Sequence, residues 1–415
     1  TAFYYDSMEV ARIAKRCLPA AKVVLGGAHS TIEDQSILES NPSVDFVVRG
    51  EGEITLRDLL LAIKDGKEDY AAIDGLSWRE RDGRIVRNRD REFIKNLDDL
   101  PIPDRKFEDV EVYKKINNRS MPFTRKTPIA IVSSSRGCPF NCVFCSTKNV
   151  WKRLWRPRSA DLIIQEIEML YRDYGIREIA FEDDQFLLGK ERVHQICDHF
   201  ISRGLDLSFS IPSGASIWLV DEVLLRKMRR AGFYRLCYPI ETGSQTTIDF
   251  IGKPVNLNKV RETIRLTHRL GYWTQGNFII GFPYETAEDI RQTIDFAYSC
   301  GLDYVFFFIA KPYAGSELFE IMEKEGYLGG SDVVRSSMIE YSHYDIKNFT
   351  AEQLNAIRSK AMKGFYLRKP LFYLNPRNFF THLLPKFRSL DDIKYAFKIL
   401  KALLRVKFGI KIFGE

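Results

Sequence analysis

Cys138, Cys142 and Cys145 place three thiols within eight residues, directly after the apolar run Ile129–Val132 and with Pro139 and Asn141 between them. A short apolar run followed by Pro and Asn predicts a strand running into a loop. Thiolates are soft ligands that suit zinc, copper(I) or an iron–sulfur cluster, and each of these deprotonates the cysteines on binding. The number three separates the candidates. A closed structural zinc site takes four protein ligands, as a rule in two separated pairs, and no second Cys or Cys/His pair follows at a suitable spacing. Three ligands leave a position open, as catalytic metals require; in a four-iron four-sulfur cluster they leave one iron free for a small molecule. The alternative, three buried thiols in a core strand, is opposed by the two turn residues.

The remaining cysteines, Cys17, Cys197, Cys237 and Cys300, are scattered singly in apolar contexts, as reduced core residues are. They predict a reducing, cytoplasmic setting. With 415 residues, 45% hydrophobic and 28% charged, the chain has the composition of two or three globular domains. It carries no apolar run of membrane-spanning length and no signal-peptide pattern. It opens on Thr1 inside a stretch with helical spacing (Val10, Ile13, Ala14, Cys17), which predicts a missing amino-terminal portion.

The elements that must position the thiols alternate. From 127 to 325 the pattern predicts six strands (129–132, 178–181, 207–211, 235–240, 274–280 and 304–310) separated by helices at 160–171, 190–203, 221–231, 257–270 and 286–299. Six strand–helix units make a parallel α/β barrel, partial rather than eight-fold, whose chemistry gathers at the strand carboxyl ends. One mouth then receives Cys138–Cys145, Glu182–Asp184, Pro212–Ser213, Glu241–Gly243, Gly281–Pro283 and Lys311–Tyr313. Glu182, Asp183 and Asp184 either cap the following helix or face a cation, since three adjacent carboxylates repel one another. Lys253 and Arg136 read as solvated or structural cations.

Ahead of the barrel, residues 1–70 read as βα alternation of the doubly wound kind, with a helix at 8–18, strands at 22–25 and 44–48 and a helix at 55–63. The strands end in Gly26–Gly27–Ala28–His29 and Arg49–Gly50–Glu51–Gly52–Glu53. Glycines at that edge let a ligand approach the backbone, or simply make tight turns. Residues 71–126 read as a hairpin turning at Asp82–Gly83 and a linker through Pro101 and Pro103, with Lys114, Lys115, Arg119, Arg125 and Lys126 leading into the first barrel strand.

The spacing Cys138-x-x-x-Cys142-x-x-Cys145, with Phe144 before the last cysteine, resembles the signature of the radical S-adenosylmethionine (SAM) enzymes. The resemblance implies that the open iron chelates SAM and that one electron from the cluster cleaves it to a 5′-deoxyadenosyl radical. It implies further that Phe144 lies near the adenine and that the strand end holding Glu182 and Asp183 contacts the methionyl amino group. Here that end reads Phe-Glu-Asp-Asp, without the common glycine pair. By the same resemblance Glu241 contacts SAM, with Pro239 replacing the usual small residue, and the element Gly276–Pro283, including Gly281, packs against the adenine. The turns Gly26–Gly27–Ala28–His29 and Val48–Arg49–Gly50–Glu51 are similar to the second half of the cobalamin-binding domain of one large subfamily, which implies cobalamin beside Gly26, Gly27 and Gly50, with His29 a turn residue rather than a cobalt ligand. Implied with it are a small or lipid-like substrate, methylation, cyclisation or rearrangement at an unactivated carbon, and an electron donor such as flavodoxin or ferredoxin. The alternatives are a methylthiotransferase, which lacks its second cysteine trio here, and a non-catalytic cobalamin module with a relic cluster.

Residues 326–415 break the α/β rhythm and read as helical. Positions 351–415 hold 14 Lys+Arg against 4 Asp+Glu, a balance of +10 where the whole chain has +7. On 391–408, Lys394, Lys398, Lys401 and Arg405 fall on one side of a helix and Phe397, Leu400, Leu404 and Phe408 on another. This predicts peripheral contact with the inner face of a membrane, or a helix docked on the barrel with a solvated basic face. No zinc knuckle or RNA module accompanies the charge, so nucleic acid is not expected.

Overall fold

A computed structural model describes residues 3–107, 111, 112, 115, 124–328 and 342–407. Lys114, Arg119 and Phe408, and the side chains of Leu404 and Arg405, lie outside the described residues. The chain forms two compact units, one of Thr1–Lys95, Asn141–Leu154 and Lys311–Asp345, the other of Asn96–Phe140, Trp155–Ala310 and Ile346–Glu415.

In the first unit, α1 (Tyr4–Cys17), β1 (Val24–Leu25), α2 (Ala28–Ile32), α3 (Asp34–Ser40), β2 (Phe46–Val48), α4 (Gly52–Lys64), β3 (Leu76–Arg79) and β4 (Ile85–Arg87) follow in order. The strands form one sheet in the order β1-β2-β3-β4, with β1 and β2 parallel. The hairpin β3–β4 continues that sheet by antiparallel pairing of Val47 with Ser77. Alternation along β2 explains why both faces are covered. Phe46 and Val48 pack with Leu59 of α4 and with Trp78, while Val47 packs with Met8 of α1 and with Ile37 and Leu38 of α3. Both parallel strands are shorter than their apolar runs predict, and α4 begins at Gly52 rather than Thr55.

The second unit holds all six expected barrel strands: β5 (Ile129–Val132), β6 (Glu178–Phe181), β7 (Ser208–Ile211), β8 (Phe233–Glu241), β9 (Trp273–Ile280) and β10 (Tyr304–Ile309). Each pairs in parallel with its sequence neighbour. One face is apolar: Phe181, Phe209 and Phe233 stack together on Phe186, with centroids 4.3 Å apart for Phe181–Phe186 and 5.0 Å for Phe209–Phe233. The helices are capped from the sequence. Ser159, Asp221, Asn256 and Thr286 each accept a hydrogen bond from the first turn of the helix they precede. A helix at Gln245–Ile251, capped by Ser244, went unpredicted because it is too short to show periodicity.

Within the same unit, the helix Ala351–Leu374 packs along β10 and touches the helix Leu390–Lys407. A buried charge cluster pins this region. The Asp303 carboxylate, just before β10, accepts hydrogen bonds from Lys386, Tyr373, the Thr274 amide (2.7 Å) and the Thr274 hydroxyl (3.1 Å). Lys369 donates to the Leu302 carbonyl at 2.5 Å and lies 4.1 Å from the Phe372 ring centroid. The basic residues of the carboxyl-terminal region therefore do two things: Lys369 and Lys386 are buried, whereas Lys394 and Lys401 face solvent.

Candidate active site

In the second unit the loop leading to the cysteines is tied down before it reaches them. Asp183 follows β6 and is buried; its Oδ1 accepts from the Ser134 amide (3.0 Å), the Ser134 hydroxyl (2.9 Å) and the Ser135 hydroxyl (2.6 Å). Burial raises the Asp183 pKa, and the Ser135 and Ser134 hydrogen bonds oppose the rise. Arg192 braces the same turn through the Ser134 carbonyl at 2.9 Å. Asp184 accepts from the amide of Gly137, whose φ of 88° suits glycine, immediately before Cys138. Two of the three adjacent carboxylates are thus committed to holding the loop. Glu182 is different: half-buried, it has no side-chain hydrogen bond among the described residues, and burial raises its pKa while Arg235 opposes the rise.

At the end of β8 the register shifts between Pro239 and Glu241, and Glu241 adopts φ of 71°. A left-handed backbone at a non-glycine residue costs about 1–3 kcal/mol and is held only where surroundings impose it. The constraint here is Lys253, which donates to Glu241 Oε1 (2.6 Å) and to the Pro239 carbonyl (2.7 Å) with both charges buried. Lys253 is therefore not a solvated cation. Pro239 is accommodated by Gly214, where an added Cβ would lie 3.1 Å from the proline ring.

The turn after β9 is held by Glu285, which the sequence reading missed. One carboxylate oxygen accepts from the amides of Gly281 (2.6 Å) and Phe282 (3.0 Å), the other from Thr247. Burial pushes its pKa up to about 7. A carboxylate four residues beyond a strand-terminal glycine was the available signal. Gly276 of the same element is explained by packing, because a Cβ there would lie 2.3 Å from Leu302. Alternation and pairing also put Glu178, Glu182, Ser208, Ser210 and Arg235 on the sheet face opposite the phenylalanine stack. Barrel interiors are usually packed with branched apolar side chains, so this lining is polar by comparison; Arg235 Nε and Ser208 Oγ on it have no partner among the described residues.

In the first unit, the Cys145 amide donates to the Cys142 carbonyl at 3.0 Å, and the Val143 carbonyl accepts from Leu318. Asn149 bonds the Gly315 carbonyl. The turn Lys311–Ser316 therefore braces the segment carrying Cys142, Phe144 and Cys145, and burial raises the pKa of Tyr313 in that turn. Lys311 is buried, 5.6 Å from the Tyr313 ring centroid, and burial lowers its pKa.

Cys138, Cys142 and Cys145 are half-buried and form no disulfide, as a ligand loop requires. Cys197, Cys237 and Cys300 are fully buried, and burial pushes their thiols up to about 12, 12 and 11. Cys17, expected in a core, is exposed at the end of α1. Among the described residues no three Cys, His, Asp or Glu converge on a single-ion position, and a cluster that offers each cysteine its own iron does not require them to. In the first unit, Gly27 (φ 93°) and Gly50 (φ 66°) end the parallel strands β1 and β2, with no atom within 4 Å of where a Cβ would stand. The Gly50 amide donates to the Thr31 hydroxyl at 2.9 Å and joins the two turns. At Gly26 a Cβ would stand 3.7 Å from the Val48 carbonyl. His29 sits in α2, with its ring 5.1 Å from that of Tyr4.

The radical SAM superfamily model matches residues 132–297, and the B12 binding domain model matches residues 1–60. Over 372 residues the chain is 35% identical to an uncharacterised methyltransferase of Pyrococcus horikoshii, PH0819, covering 89% of this chain and 77% of that one. It is 29% identical over 318 residues to the anaerobic magnesium-protoporphyrin IX monomethyl ester cyclase of Rubrivivax gelatinosus, covering 76% of this chain and 56% of the cyclase. Its fold is similar to that of TsrM from Kitasatospora setae, a radical SAM methyltransferase solved with cobalamin and a 4Fe-4S cluster bound. The TM-score is 0.66 at 18% identity, over 79% of this chain and 62% of TsrM.

Proposed function

We propose that this chain, which belongs to the radical SAM superfamily, uses a 4Fe-4S cluster, SAM and cobalamin to methylate, or close a ring on, an unactivated carbon of a small or lipid-like substrate. The observation that carries the proposal is the half-buried, disulfide-free cysteine loop leaving the first strand of a six-stranded parallel sheet, its approach fixed by Asp183 and Asp184. The cofactors supply an electron, a carbon-centred radical and a methyl carrier, chemistry that side chains cannot provide. The chain's own residues hold and orient. Cys138, Cys142 and Cys145 each take one iron, Phe144 lies beside the adenine, and Gly26, Gly27 and Gly50 leave backbone open to cobalamin. Gly281, its amide held by Glu285, shapes the adenine edge. The polar lining with Arg235 and Glu182 suits a substrate that carries a polar group. One-electron chemistry calls for a donor such as flavodoxin or ferredoxin, and the cluster for a reducing, cytoplasmic setting. Among the described residues no helix is long and apolar enough to cross a membrane. The carboxyl-terminal helices give the enzyme its peripheral contact with the inner face.

Glu182 is the carboxylate we assign to the SAM ammonium. All three donors to Asp183 converge on Oδ1 and tie that side chain to the loop, although its buried Oδ2 has no donor, and Glu241 is held by Lys253; neither oxygen of Glu182 accepts a side-chain hydrogen bond among the described residues. Glu182→Gln should keep the cluster's absorbance and weaken SAM binding about ten- to a hundredfold, the worth of a charge-assisted hydrogen bond at roughly 1.5–3 kcal/mol. Titration of SAM into the reconstituted variant checks this, and wild-type affinity would remove the assignment. The reaction itself is tested by comparing metabolites from cells with and without the intact gene. Methylation predicts a product heavier by one CH2 and ring closure one lighter by two hydrogens; no gene-dependent product of either kind counts against the proposal.

A further inference from the structure

The helix Leu390–Lys407 buries Asp392, Tyr395 and Ile399, of which Tyr395 packs on Tyr234 and Trp273. That docking leaves a second apolar stripe unused. Leu390, Ile393, Phe397 and Leu400 recur at intervals of three and four and are 73%, 42%, 67% and 46% exposed. They lie roughly 150° round the helix from the buried side. Lys394, Lys398 and Lys401 are exposed and fall between the two sides, Lys398 with its ammonium turned to the Thr124 carbonyl at 3.2 Å. The neighbouring helix Ala351–Leu374 repeats the arrangement. It buries Phe365, Tyr366 and Lys369 and leaves Leu367, Leu371 and Leu374 54%, 65% and 75% exposed. Soluble helices turn one apolar stripe inward; two touching helices that each turn another outward need an explanation.

We infer that this face, Leu367–Leu374 with Leu390–Leu400, is the surface that lies on an anionic lipid bilayer, the apolar stripes entering the headgroup region and Lys394 and Lys401 meeting lipid phosphates. Charge selects this occupant. Asp392 is buried, Asp391 is engaged by Lys126 at 3.5 Å and Lys394 at 3.9 Å, and the exposed charges beside the stripe are otherwise basic. A second copy seated on the same stripe brings one row of lysines against another, whereas an anionic bilayer satisfies the lysines and the leucines together. The inference deepens the peripheral contact offered above by fixing its face and its lipid. Its test uses no radical chemistry, so its failure is distinguishable from failure of the enzymatic reading.

The full chain is floated with vesicles of phosphatidylglycerol mixed with phosphatidylcholine, and with phosphatidylcholine alone. Wild type should float with the anionic vesicles at low salt, be released as salt screens the charges, and stay down with neutral ones. Lys394→Glu with Lys401→Glu should lower the anionic partition about tenfold or more, since each basic residue near such a surface contributes about fivefold. Phe397→Ser with Leu400→Ser should weaken it as well, while the thermal transition stays in place because both side chains are exposed. Wild type that never floats, or that floats equally with neutral vesicles, overturns the inference. So does a wild-type dimer in sedimentation that the serine pair converts to monomer, which assigns the stripe to a second copy.

Discussion

Alanine at Cys138, Cys142 or Cys145 should abolish the brown absorbance of the reconstituted cluster and the cleavage of SAM together, in each of the three variants. Cluster assembly needs every iron ligand, so the expected loss is all-or-none rather than graded. The physical contrast lies with the other thiols. Burial holds Cys197 and Cys237 near 12 and Cys300 near 11, so they stay protonated and unreactive, and alanine there should leave the iron content unchanged. Because the three loop cysteines are only half-buried, their removal opens no core cavity, and the variants should unfold at the temperature of the metal-free wild type. Iron analysis, absorbance and thermal melting on the same preparations separate loss of the cluster from loss of the fold. A trio variant that retains cluster and cleavage rejects the ligand assignment.

Asp303→Asn should be the most destabilising single substitution proposed, at about 3–5 kcal/mol, the cost of leaving a buried charge without its partner. In the wild type Asp303 is fully buried and its pKa sits far below the usual carboxylate range: burial raises it, and Lys386, His268 and Lys369 together more than reverse this. Asparagine keeps the shape but leaves Lys386 and Lys369 facing no anion. Lys369 already has its pKa pushed down to about 7, chiefly by burial. A lysine whose folded pKa is depressed binds more protons unfolded than folded between about 7 and its ordinary value near 10.5, so its burial penalises folding least at the top of that window. The Asp303→Asn loss should therefore be larger at pH 7 than at pH 9, because losing the anion depresses both lysines further. Lys369→Met, which removes a charge and keeps the volume, should cost under about 1.5 kcal/mol. Chemical denaturation at the two pH values checks the set; a loss below 1 kcal/mol at pH 7 shows that the cluster does not hold the carboxyl-terminal region to the barrel.

What could be read in advance follows a physical division. All six barrel strands were legible because each is a short apolar run bounded by turn residues, and parallel strands covered on both faces look like that wherever they occur. The cysteine trio was legible because its ligands are adjacent in sequence. Lys253 was not, because the buried charge it meets, Glu241, lies twelve residues away and its pairing depends on the bulge at Pro239–Glu241. Asp183 and Glu182 are neighbours of the same chemical class; only the approach of Ser134 and Ser135, 49 and 48 residues before Asp183, separates the brace from the candidate ligand. The carboxyl-terminal helix shows the limit of periodicity. Its amphipathic pattern predicted Phe397 and Leu400 on one side, but the side that docks carries Tyr395 and Ile399, since three tyrosines and a tryptophan cluster more favourably there than the more regular stripe.

The most direct test of the account is to reconstitute the full chain anaerobically, reduce it, add SAM and measure 5′-deoxyadenosine. The account predicts that 5′-deoxyadenosine forms only when cluster and reductant are both present and is absent from the Cys142→Ala protein. A fully assembled, reducible cluster that binds SAM and leaves it intact would contradict it.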